Sequence, residues 1–187
     1  MNKLTPPVSK SDNQVAGPDY KITLVEYGDY QCPYCGMAHP IVKRLLEERG
    51  DDIRFVFRNF PLHTVHPFAI TASLTAEAAA LQNRFWEMHD LLFENQESFN
   101  DNFFARLVEK LNLDPVLFQR DYSGILTNTK VNDDFKSGLQ SGVNRTPTFF
   151  IDGKKIELRD LTYESLAEAV EEHLGARSYV LLRQVVS

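Results

Sequence analysis

The sequence predicts an α/β fold in which a small sheet carries a helical insertion, and three observations predict it. An apolar run from Ile22 to Tyr27, a helical pattern and a second apolar run from Ile53 to Arg58 make a β-α-β unit. From Pro67 to Gly142 the apolar spacing becomes helical. A strand pattern returns at Thr148 to Ile151, followed by a turn and a last helix, so the order is β-α-β, a helical block, then β-β-α.

Each element has a local reason. Ile22 to Glu26 reads as a buried strand, and just beyond it Cys32-Pro33-Tyr34-Cys35 holds the only two cysteines. Pro33 suits the first position of a helix, Ile41, Val42, Leu45 and Leu46 follow at helical spacing, and Gly50 ends the helix after Arg49. Ile53 to Arg58 alternates as a second strand. Helices are expected over Thr71 to Gln82, over Phe85 to Phe93, and around Phe103, Leu107 and Leu111. Asp114 before Pro115 starts another, and Val131, Phe135 and Leu139 stripe one more. The aromatic residues of this block are core. Asp152-Gly153 is a hairpin turn leading to Ile156 to Leu158, and a final helix spans about Tyr163 to Leu174.

The organisation follows from composition. Residues 1–19, with Pro6, Pro7, Ser9, Ser11, Asn13, Gly17 and Pro18, read as a disordered or linker-like segment. Residues 20–66 and 143–175 form the sheet domain, 67–142 an inserted helical subdomain and 176–187 a tail. That tail, from Tyr179 to Val186, is apolar on both faces if extended. It is expected to cover a groove or sheet edge of its own chain, or to pair between chains, giving a monomer or a weak homodimer.

With 187 residues, 43% of them hydrophobic and 11% aromatic, the chain can build a real core without a disulfide scaffold. A formal charge of −6 offers no basic footprint, so nucleic acid is excluded as a partner. Residues 1–19 contain no apolar run of signal-peptide length. No segment has transmembrane length and hydropathy, so no membrane partner is expected. As written the chain is expected in the cytoplasm; if a leader was trimmed, a periplasmic or other extracytoplasmic location follows.

The cysteine pair carries the chemistry. Residues three apart on a helix are neighbours, and a thiolate at a helix N-terminus is stabilised by unpaired amides and the dipole. Cys32, nearer the helix start and expected to be exposed, is the attacking thiol. Cys35, one turn inside, resolves the mixed disulfide. A purely structural disulfide closing so short a loop would constrain little. Zinc is the stronger alternative, because Cys32, Cys35, His63 and His66 supply a C-x-x-C and H-x-x-H set. Against it, the second pair precedes Pro67, where an extended turn is expected. His63 and His66 otherwise read as loop residues, His39 and His89 as helix-surface residues and His173 as part of the last helix.

Three segments together resemble one family. Glu26-Tyr-Gly-Asp-Tyr-Gln-Cys32-Pro-Tyr-Cys35, Arg58-Asn-Phe-Pro-Leu62 with His66-Pro67, and Arg145-Thr146-Pro147-Thr148-Phe-Phe-Ile-Asp-Gly153 are similar to the DsbA-like branch of the thioredoxin superfamily. The likeness runs from about Tyr20 to Leu174, and the long stretch between Cys35 and Thr146 matches the helical insertion of that branch. The resemblance implies a thioredoxin-like fold with the insertion between its β-α-β and β-β-α halves. It implies a thiol–disulfide oxidoreductase acting on protein substrates, an unidentified redox-recycling partner, and no metal or organic cofactor.

The resemblance also implies roles. Pro147 matches a proline that is cis beside the dithiol, leaving the backbone of Thr146 free to pair with an extended peptide. Glu26 matches a buried acid beneath the dithiol, able to accept or return the proton of Cys35; Arg54 and Arg58 are its candidate partners. Pro33 and Tyr34 are expected on the substrate side, with Tyr34 tuning the redox potential, while Asp29 and Tyr30 shape the turn. Two other readings stay open: a glutathione-dependent, glutaredoxin-like reductase, and a binding module that holds zinc or senses redox state.

Overall fold

The computed structural model describes residues 3–185, with side chains through residue 176. Five strands, β1 (Asn13–Ala16), β2 (Ile22–Gly28), β3 (Ile53–Asn59), β4 (Thr148–Ile151) and β5 (Lys154–Lys155), form one sheet in the order β1-β3-β2-β4-β5. The central pair, β2 (Ile22–Gly28) and β3 (Ile53–Asn59), is parallel, with Glu26 opposite Phe57 and Tyr27 opposite Arg58. Helix α1 (Pro33–Arg49) makes the crossover between them. Both strands are buried almost throughout, as expected of parallel strands covered on both faces. The alternation expected of β3 therefore sorts its residues between two cores rather than between core and solvent.

Those cores follow strand parity. Ile22, Leu24, Ile53, Phe55, Phe57, Phe149 and Ile151 join the core that contains both cysteines, the inserted helices and Val170. Val25, Tyr27, Val56 and Phe150 face the other way and pack with Leu4, Phe60 and Val143. Strand β4 (Thr148–Ile151) runs antiparallel to β2. It turns at Asp152 and Gly153, both with positive φ (48° and 77°), into β5. Consecutive positive φ values are what a tight two-residue hairpin requires. Strand β5 is only Lys154–Lys155, not Ile156 to Leu158. After the amide of Ile156 donates to the Phe149 carbonyl at 3.0 Å, the chain leaves the sheet and lines a groove instead.

The insertion comprises α2 (Ala69–Ala80), α3 (Phe85–Glu94), a 3-10 turn at Gln96–Ser98, α4 (Asp101–Lys110), α5 (Pro115–Tyr122) and α6 (Ile125–Gln140). Asp114 caps α5 by accepting from the amides of Val116 and Leu117, each at 2.9 Å. A buried polar seam joins the insertion to the sheet. Asn59 donates from its amide to Asp134 and from Nδ2 to Glu77, and Lys130 pairs with Asp134 at 2.6 Å. Burial pushes the Glu77 carboxyl up to about 7, with Lys130 acting in the opposite sense.

Two expectations about the ends are corrected. Residues 3–16 are not a linker: Lys3 pairs with Lys154 at one sheet edge, Leu4 is buried, and β1 (Asn13–Ala16) is antiparallel to β3 at the other edge. What holds this polar strap is a long-range ion pair. Arg58 donates to both carboxylate oxygens of Asp12, at 2.7 and 3.2 Å, and to the Pro6 carbonyl at 3.0 Å. At the other end α7 runs Tyr163–Val185, past Leu174, so most of the tail is helical rather than extended. The tail's expected covering of a groove or pairing between chains lies outside the described side chains.

Candidate active site

The connection from β2 to α1 is built around Asp29, which is fully buried. Its carboxylate accepts from the amide of Gln31 at 2.8 Å, from the amide of Leu62 at 2.8 Å, and meets His66 Nδ1 at 2.7 Å. Its own amide donates to Cys35 Sγ at 3.4 Å. Asp29 thus fastens the turn before Cys32 to the loop after β3. Tyr30 packs against Phe57 and Phe93 and meets His89 Nδ1 through its hydroxyl at 3.0 Å.

Cys32 is the N-cap of α1 and Pro33 its first residue. Both thiols are free. Contrary to expectation Cys32 is only 4% exposed, because the loop before β4 folds over it: its thiol faces the Thr146 carbonyl at 3.5 Å, across 114 residues of sequence. A hydrogen bond from the Cys35 thiol lowers the Cys32 pKa from 9.0 to about 5; burial opposes it, while Thr146 and the amides of Cys35 and Tyr34 reinforce it. Burial drives the Cys35 thiol the other way, well above its ordinary value, and the adjacent Cys32 and Glu26 add to that. The two thiols of one motif are thereby made unlike.

Glu26 lies on the face of β2 that carries Leu24, toward the dithiol. Its Oε1 is buried with no hydrogen-bond partner. Burial, and secondarily the charge of Cys32, raise its pKa to about 8. Neither arginine is its partner. Arg54 donates to Thr23 Oγ1 and Arg58 to Asp12 and Tyr27, because 54 and 58 share the parity of Val56 and so point into the opposite core.

The Thr146–Pro147 peptide bond is cis. Together with Tyr34, which is 62% exposed, Arg145, Phe149 and Leu158, these two residues line an open groove of about 340 Å³ beside the dithiol. The sequence-predicted residues Glu26, Cys32, Pro33, Tyr34, Cys35, Thr146 and Pro147 are therefore brought into one region.

The four residues weighed as a zinc set do not assemble. His66 is held by Asp29, and His63 is exposed in a different groove with Ile70 and Phe135. His39 and His89 are buried rather than on helix surfaces, packed edge to face against each other, with His39 stacked on Phe93 and His89 edge to face against it. One contributor was missed altogether. Gln96, from the 3-10 turn of the insertion, donates from Nε2 to the carbonyls of Tyr30 at 2.8 Å and Cys32 at 2.9 Å. A lone glutamine 64 residues from Cys32 gives no sequence signal.

A family model described as thioredoxin matches residues 15–172. The chain belongs to the thioredoxin family. Within that family its architecture is shared by a thioredoxin-like oxidoreductase from Silicibacter pomeroyi, 24% identical with a TM-score of 0.77 over 91% of this chain and 94% of that one. BdbD from Bacillus subtilis is 23% identical, with a TM-score of 0.76 over 90% and 96% of the two chains. The thiol–disulfide exchange protein α-DsbA2 from Wolbachia pipientis is 18% identical, with a TM-score of 0.77 over 88% of each. Among curated proteins, this thioredoxin-family chain is 40% identical over 150 residues to a Na(+)/H(+) antiporter NhaA 3 of Salinispora tropica, covering 80% of the chain and 23% of the antiporter. It is 37% identical over 157 residues to an NhaA 1 of Mycolicibacterium gilvum, covering 82% and 25%. The chain thus spans about a quarter of the length of the curated relatives it matches. Among the described residues no helix is long and apolar enough to cross a membrane.

Proposed function

We propose that the chain is a DsbA-like thiol–disulfide oxidoreductase that donates its Cys32–Cys35 disulfide to protein thiols. The observation that carries this is the contrast between two thiols one helical turn apart, Cys32 lowered to about 5 and Cys35 raised well above 9.0. A thiolate stabilised at neutral pH favours the reduced pair, which makes the disulfide a stronger oxidant by tens of millivolts.

A substrate thiolate attacks Cys32 Sγ, the Cys32–Cys35 bond breaks, and Cys35 leaves with the electron pair. Cys35 is the strongest base in the site, and the Glu26 carboxyl, protonated below about 8, supplies its proton. A second substrate thiolate attacks the substrate sulfur of the mixed disulfide, and Cys32 departs as a stable thiolate. The substrate has lost two electrons and the pair has gained them; an external disulfide or other oxidant restores it. The groove beside Tyr34, Thr146 and Pro147 supports an extended peptide as the substrate, read through main chain at Thr146.

The oxidising direction goes with a non-reducing compartment, the extracytoplasmic alternative rather than the cytoplasmic one. For the longer antiporters the same reading assigns exchange chemistry, rather than ion transport, to the quarter that this chain matches.

Equilibration in glutathione buffers tests the direction. A potential near about −120 mV supports disulfide donation, and one near about −270 mV makes the chain a reductase. Cys35→Ser should accumulate mixed disulfides visible on non-reducing gels, and Cys32→Ser should accumulate none; turnover retained in Cys32→Ser defeats the assignment. Turnover that depends on glutathione would favour the glutaredoxin-like alternative.

A further inference from the structure

His39 lies one turn beyond Cys35 on α1, and its ring stacks on Phe93 of α3 with centroids 5.1 Å apart. Only 8% of the residue is exposed, yet its Nε2 has no hydrogen-bond partner. An unpaired ring nitrogen at that depth is unfavourable unless something completes it. Its nearest neighbours are chemically suggestive. The His89 ring centroid is 5.4 Å away, and Asp90 Oδ1 is 3.6 Å from His39 Nε2, too long for a hydrogen bond. One ligand atom each from His39, His89 and Asp90 lie within 4.8 Å of one another, the only such group of three among the described residues.

We propose that these three residues bind a divalent transition cation of the zinc class, with the fourth position open to water. Two imidazoles, a carboxylate and one open position suit that class. Metal–ligand bonds of about 2.0–2.2 Å place neighbouring ligand atoms roughly 3.3 Å apart, so a group whose atoms lie within 4.8 Å of one another needs to contract by no more than about 1.5 Å.

The surroundings fit as supports. Tyr30 meets His89 Nδ1 at 3.0 Å, a contact that fixes the orientation of the imidazole ring. Lys43 holds the other Asp90 oxygen at 2.9 Å and reaches Glu94 at 3.2 Å, which orients the carboxylate while leaving Oδ1 free. The ion would cross-link α1 to α3, joining the dithiol helix to the insertion.

The test is zinc titration by calorimetry on the chelator-treated, oxidised full-length chain, in which the Cys32–Cys35 disulfide removes the thiolates as ligands. One zinc per chain is expected, with binding weakened at least about tenfold in both Asp90→Asn and His39→Leu and with zinc raising the melting temperature of the parent but of neither variant. No saturable binding to the oxidised parent overturns the site, and undiminished binding in either folded variant overturns the ligand set. Asp90 is partly exposed, so Asp90→Asn decides the matter if His39→Leu does not fold.

Discussion

Glu26 keeps a carboxyl in a place where its charge has no partner, and that makes its contribution to stability depend on pH. Its pKa is raised from 4.5 to about 8, so the native state holds the proton more tightly than the unfolded chain between those values. Native stability therefore falls as pH rises through that window. Glu26→Gln should melt at a higher temperature than the parent, with a difference that grows from pH 5 to pH 8, is worth a few kcal/mol at most, and stops changing below about pH 4.5. A difference independent of pH would show that Glu26 is solvated. The same substitution removes the proton donor for Cys35 and should slow exchange on the order of 10²-fold. Cys32 has the opposite sign: alkylation by iodoacetamide should follow a single ionisation near about 5, with Cys35 unreacted across the range. The cysteines were readable from spacing and the helix start alone. Strand parity alone separates Glu26 from Arg54 and Arg58. Residues 22, 24 and 26 share one face of β2, while 54, 56 and 58 lie on the other side of the same sheet.

At the scale of elements, α6 shows what a periodic pattern reveals and what it hides. Val131 and Phe135 do face inward, but Leu139 is 56% exposed, and the close contact is made by the small residue before it. A Cβ built on Gly138 would lie 2.5 Å from the Phe60 ring and 3.2 Å from that of Tyr27. Gly138→Ala should therefore cost about 1–3 kcal/mol by overpacking, read from chemical denaturation; an unchanged midpoint would mean that the two rings can yield. Hydrophobic patterns mark large residues, whereas helix-to-sheet approach here depends on a missing side chain. The boundaries of α1 and α3 and the start of α5 were readable for the complementary reason that their signals are local: Pro33 and Gly50, an apolar stripe, and the Asp114 cap. The 3-10 turn that delivers Gln96 to the dithiol carries no such signal.

The whole molecule depends on a strap the composition disguises. Residues 3–16 touch both edges of the sheet, at Lys154 and at β3, and bring Asp12 to the buried guanidinium of Arg58. Asp12→Ala leaves that charge unpaired, with an expected loss of about 3–5 kcal/mol in denaturation. Deleting residues 1–16 opens the β3 edge as well, and the shortened chain should self-associate more than the parent by light scattering. Equal mass in both would mean that the exposed edge is harmless. Four residues, Asn13-Gln14-Val15-Ala16, make β1, and only partners distant in sequence turn them into a strand, so no window of local pattern could announce it.

The strap also sets an order of events during synthesis. Thr5 bonds to Ser141, 136 residues later, and Leu4 donates to the carbonyl of Gly153. Contacts of such long sequence separation close slowly, and none can form before the ribosome has released most of the chain. Residues 3–16, made before the rest of the sheet, are thus among the last to be seated, and until then the nascent sheet waits with an open edge and an uncompensated arginine.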